Sequence, residues 1–190
     1  MKNKGIVVSL LIGSAAALAA ALPGLANGDH GQGASLQKPH SGELVQTVRN
    51  ATRRFRDVAQ AEAEGYHLLF GCVSGPDDGA MGLHYVNLSL VADGILDPRR
   101  PEIVIYEPLP NGGKKLIGAD FLVFSETWHA SNTATPELGG QLMHLIDAPN
   151  RYGLPAFYTL HVWAWKPNPT GAFVNWHSDV SCENYTAPAS

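Results

Sequence analysis

The sequence predicts an α+β fold: one long amphipathic N-terminal helix packed on a curled antiparallel sheet of the cystatin-like or NTF2-like kind, with a second, short helix. Three observations carry that expectation. Apolar residues recur at helical spacing between positions 41 and 64. Beyond Gly65 the pattern changes to short runs of period two between clusters of turn residues. No βαβ alternation and no internal repeat appears anywhere.

The helix is the clearest element. Leu44, Val48, Ala51, Phe55, Val58, Ala59 and Ala63 form its apolar stripe, and Arg49, Arg53, Arg56, Asp57 and Glu64 its wet side. Ser41 suits the N-cap, Glu43 the first turn, and Gly65 the left-handed stop. About six turns are expected. Strands follow in "YHLLFGCV", "LHYVNLSLV", "EIVIYEP", "KKLIGADFLVFS" and "AFYTLHVWAW", separated by "SGPDDGAMG", "DGILDPRRP" and "LPNGG". The short helix is expected from Pro136, with Thr135 as cap and Leu138, Leu142 and Leu145 on its apolar side, although Gly139 and Gly140 weaken it.

The start of the chain reads as an export signal. Met1-Lys2-Asn3-Lys4 is basic, positions 5 to 22 are apolar, and small residues follow. Cleavage is expected after Ala26 or after Ala21. The expected organisation is a signal peptide over 1–26, a glycine-rich flexible lead-in over 27–40, and a single α+β domain over 41–190. A secreted or periplasmic protein with no membrane span after cleavage follows from this. The net charge of −4 and the lack of a basic face argue against a nucleic-acid partner. Two cysteines in an exported chain, Cys72 and Cys182, are expected to form a disulfide.

The chemistry is sought where an ionisable group interrupts an apolar strand. His84 shares a strand face with Val86, Leu88 and Leu90; Glu107 with Ile103 and Ile105; His161 with Phe157, Thr159, Trp163 and Trp165. If those faces converge, two histidines and a carboxylate form the ligand set of an open metal centre for iron, zinc, copper or manganese. Trp163, Trp165 and Phe157 would wall an apolar pocket around it. His177 or His129 could stand in for Glu107 as a third ligand, and His144, on the short helix, likewise. Without a metal, the same residues could form an acid–base pair or serve only as core. No GxSxG elbow, phosphate loop or EF-hand spacing is present.

The stretches "GAMGLHYVN", "RPEIVIYEP" and "NRYGLPAFYTLHVWAWKPNPTGAFVNWHSDVSC" resemble a family of uncharacterised exported bacterial proteins. The resemblance implies an exported single domain and assigns no catalytic residue. The expected function is therefore a small exported domain with an aromatic-lined pocket for a small molecule or a metal ion. A metalloenzyme with a 2-His-1-carboxylate centre is the first alternative. A structural or interaction protein with core histidines is the second.

Overall fold

In the computed structural model the described residues are 41–75 and 77–187. The expected signal peptide, its cleavage site and the lead-in lie outside them. Among the described residues no helix is long and apolar enough to cross a membrane.

The long helix is not there. The stretch forms helix α1 (Ser41–Ala51), a 3₁₀ turn (Arg53–Arg56) and helix α2 (Val58–Ala63). An unbroken helix would bond the Ala59 N–H to the Phe55 carbonyl. Instead the Tyr106 hydroxyl donates to that carbonyl at 2.7 Å, and the Ala59 N–H turns to Asp57 Oδ1 at 3.0 Å. Asp57 itself is extended and caps α2. Burying Phe55 among Tyr66, Tyr85 and Tyr106 is what the break achieves. The apolar stripe survives because each piece is still helical, so periodicity alone could not reveal the kink.

The rest is a curled antiparallel half-barrel. Strands β1 (His67–Ser74), β2 (Ala80–Val86), β3 (Ile103–Pro108), β4 (Lys114–Phe124), β7 (His144–Ile146) and β8 (Phe157–Val162) lie in the order β1-β2-β3-β4-β8-β7. Helix α3 (Leu88–Asp93) follows β2 directly, with the Asn87 side chain accepting from the N–H groups of Ser89 and Leu90. Leu88 and Leu90 are thus helical and do not share a strand face with His84. Helix α4 (Ser125–His129) follows β4.

The expected second helix is also absent. Its residues form the two-stranded hairpin β5 (Glu137–Leu138) and β6 (Gln141–Leu142), and His144 lies on a strand. Gly139 and Gly140 both have positive φ, 56° and 78°, which is the conformation a two-residue hairpin turn requires.

Strand alternation divides the sheet into two covered faces. Leu83, Tyr85, Val104, Tyr106, Phe121 and Leu160 meet α1, the 3₁₀ turn and α2. Ala80, Ile103, Ile105, Leu122, Phe157 and Trp163 form the opposite core, over which the tail lies as far as Val180. Burial on both faces explains why these strands read as continuous apolar runs. Cys72 on β1 is joined to Cys182 in the tail.

One buried carboxyl serves the fold alone. Glu102, 1 % exposed at the head of β3, accepts the Leu122 N–H at 3.1 Å. Burial pushes it up to about 8 from an ordinary 4.5. A carboxyl whose pKa is raised on folding favours the fold below its unfolded value, and that favour is lost as pH rises to its folded value. Between pH 6.5 and 8 we expect the protein to lose on the order of 2 kcal/mol of stability. Glu102→Gln keeps an acceptor for Leu122, so this loss should be missing from its stability over that window. Urea denaturation at pH 6.5 and 8 measures the difference, and equal slopes for the two proteins would refute the assignment.

Candidate metal centre

Sheet register places the central residues. Val86, Ile103, Asp120 and His161 stand side by side across β2, β3, β4 and β8. His84 lies one pleat along β2, beside Ile105. In a flat sheet three inter-strand steps would hold the backbones of β2 and β8 about 14 Å apart. The His84 and His161 ring centroids are nevertheless 5.7 Å apart. The sheet curls inward on this face, and irregular pairing in β1–β2 and at Ile105/Tyr106 in β3–β4 marks where it bends.

Gly82 contributes twice to this geometry. Its φ is +92°, and a Cβ there would stand 2.6 Å from the Tyr106 carbonyl oxygen, so only glycine fits against β3. Its own carbonyl accepts from His84 Nδ1 at 3.1 Å. A carbonyl can only accept, so Nδ1 carries the proton and Nε2 presents its lone pair. A backbone carbonyl behind an imidazole is the usual way a metal-binding histidine is oriented.

Asp120 is held in a comparable way. Thr159 Oγ1 donates to Asp120 Oδ1 at 2.6 Å, and the backbone N–H groups of Leu160 and Phe121 support the carboxylate. His161 Nδ1 is 3.6 Å from Asp120 Oδ1, too far for a hydrogen bond. Both ring nitrogens of His161 are buried without a well-formed hydrogen bond, and the Asn175 side chain gives the ring its polar support. One ligand atom from each of His84, Asp120 and His161 lies within 4.8 Å of the others. Ligands around an ion at about 2.1 Å stand roughly 3–4 Å apart, so small side-chain adjustments would close this set on an ion. The buried His84–Asp120–His161 cluster could hold a metal ion.

The electrostatics agree with that chemistry. Burial lowers His84 to about 4, and the neighbouring His161 adds to the effect. Burial lowers His161 to about 3, with a further contribution from His144 and against the Asn175 side chain, which raises it. Burial raises Asp120 to about 6, against the pull of His84 and the Thr159 hydroxyl. At neutral pH two imidazoles thus offer free lone pairs beside one carboxylate, the protonation state a divalent ion needs.

The other expected site residues are dispersed. The carboxylate standing with the two histidines is Asp120, not Glu107. Glu107 accepts from Lys166 Nζ at 2.6 Å, in an ion pair away from the cluster. Phe157 lines the cavity beside the cluster. Trp163 does not line it; its ring backs His161 at 5.9 Å and meets His177 at 4.9 Å. Trp165 lies on the opposite face, where its Nε1 donates to Thr52 Oγ1 and its ring sits beneath Arg49 and Arg56. The chain leaves the strand after Val162, so alternation no longer governs Trp165. His177 Nδ1 accepts the Asp179 N–H, and His129 Nε2 meets the Tyr158 hydroxyl at 2.9 Å.

Strand alternation alone does not single out Asp120. Its signal was nonetheless present: one carboxylate in the middle of "KKLIGADFLVFS", flanked on its own face by Gly118 and Leu122. Comparison with protein-family models, curated proteins and solved structures finds no match for this chain. The functional reading therefore rests on the cluster itself.

Proposed function

We propose that this chain is an exported metalloprotein in which His84, Asp120 and His161 hold one divalent first-row transition-metal ion. The observation that carries the reading is His161. The residue is 3 % exposed, neither ring nitrogen makes a well-formed hydrogen bond, the Asn175 side chain gives the ring its polar support, and a carboxylate oxygen stands 3.6 Å away. A buried polar atom without a partner costs about 1–3 kcal/mol, which a coordinate bond would recover. Two imidazoles and one carboxylate on one face leave the remaining positions of the ion open. An ion in such a site lowers the pKa of bound water and can polarise a bound oxygen.

The cavity size favours this reading over a pocket for an organic ligand. The space beside the cluster measures about 50 Å³. Pockets for drug-sized molecules are roughly 300–1,000 Å³. With Trp163 and Trp165 elsewhere, the aromatic walls expected for such a molecule are reduced to Phe157, Tyr152 and Phe70.

Elemental analysis by mass spectrometry tests the proposal, on protein purified without a histidine tag or chelator. One equivalent of iron, zinc, copper or manganese is expected, and His161→Ala should lose it while circular dichroism shows a retained fold. Absence of any metal after incubation with each of the four ions would sink the reading.

A further inference from the structure

An unusual residue lines the approach to the cluster. The three ligand side chains are buried at the bottom of the cavity, and Phe70, Tyr152 and Leu154 form its half-open rim. Phe70 has φ +65°, the one positive value among described residues other than glycine. That conformation is strained for a side chain of this size. The phenyl nevertheless stays 48 % exposed, where little burial offsets the strain, and meets Tyr152 edge-on at 5.6 Å. Tyr152 in turn packs on Phe157 and donates to the Met81 sulfur. The strained residue thus holds an exposed ring against Tyr152 at the edge of the cavity.

Charge and volume define what can pass. A divalent ion with one carboxylate and two neutral imidazoles keeps a net charge of +1 in a buried site, which an anionic ligand would neutralise. A cavity of 50 Å³ has room beside the cluster for a few small atoms. Asn175 lines the same space, and its buried Oδ1, which makes no well-formed hydrogen bond, stands within reach of the His161 ring. Turned by half, that amide presents its NH₂ group to an anion.

We infer that the exogenous ligand of this centre is a small monoanion of a few non-hydrogen atoms, and that Phe70, packed against Tyr152, sets the size limit. The inference rests on the proposed metal site and names what that site admits. Azide and benzoate probe it, since they share a charge and differ in size. On cobalt-loaded protein, followed by visible absorption, azide should bind and benzoate should bind at least 100-fold more weakly. Phe70→Gly accepts the backbone angle without strain and removes the ring. It should narrow the gap at least tenfold, with the benzoate ring entering the space vacated, while Phe70→Trp should preserve it.

Cobalt-loaded protein that ignores azide, that binds both anions alike, or whose selectivity is unchanged in Phe70→Gly overturns the inference and leaves the metal site standing. Failure to take up cobalt, read as stoichiometry on the same samples, removes the metal site and this inference with it.

Discussion

Asp120→Asn should abolish metal binding and leave the metal-free protein as stable as wild type, or more so. Asp120 is 3 % exposed, and no cation stands beside it among the described residues. The Thr159 hydroxyl and two backbone N–H groups only partly offset its burial, so its pKa rises to about 6 from an ordinary 3.8. A carboxyl raised on folding favours the fold below pH 3.8, and that favour disappears as pH climbs through 6. At neutral pH the lone carboxylate therefore opposes folding, by an amount on the order of 3 kcal/mol. The amide carries no charge, keeps an acceptor for Thr159, and is released from that penalty.

Metal should reverse the ranking. Free metal at 1,000 times its dissociation constant should stabilise wild type by about 4 kcal/mol, and Asp120→Asn scarcely at all. Urea denaturation with and without the ion, and again after chelation, shows whether the two proteins exchange order. Equal stabilisation of both, or a metal-free Asp120→Asn protein several kcal/mol weaker than wild type, would mean that Asp120 serves the core instead.

Replacing Cys72 and Cys182 together by serine should cost about 4–5 kcal/mol, since the bridge closes a loop of 110 residues in the unfolded chain. The consequence reaches the site. The tail that Cys182 anchors supplies Asn175 to the cavity and places His177 against Trp163, which backs His161. Tyr185, just beyond Cys182, lies over Gly71, next to Phe70. The serine variant should therefore bind metal more weakly even under conditions where it is folded. Denaturation midpoints and metal titration of the variant at low temperature measure both effects. A loss below about 1 kcal/mol would show that the unfolded chain already holds the tail close to β1.

Several features were legible residue by residue. His84 and His161 interrupt apolar strands, and the structure brings both to one curved face. The two cysteines are joined. The third ligand was not legible in the same way, because Glu107 and Asp120 present similar local anomalies. Only the pairing of β4 with β8 sets Asp120 directly across from His161, while Lys166 claims Glu107. The helices differ from the sequence expectation for a related reason. A Tyr106 hydroxyl 51 positions away takes the carbonyl that a continuous helix would need at Phe55. Gly139 and Gly140 decide a hairpin over a helix once flanking strands exist to be joined.

By itself, the sequence determined which side chains share a face within the strands that form, and which histidines interrupt their apolar runs. Each follows from the period of the backbone and the cost of exposing apolar surface, both properties of neighbouring residues. Only the tertiary structure decided which faces meet. Register, curl and the breaks in the first helix depend on hydrogen bonds between residues far apart in the chain. The curl carries His84 and His161 across three strands to a single carboxylate.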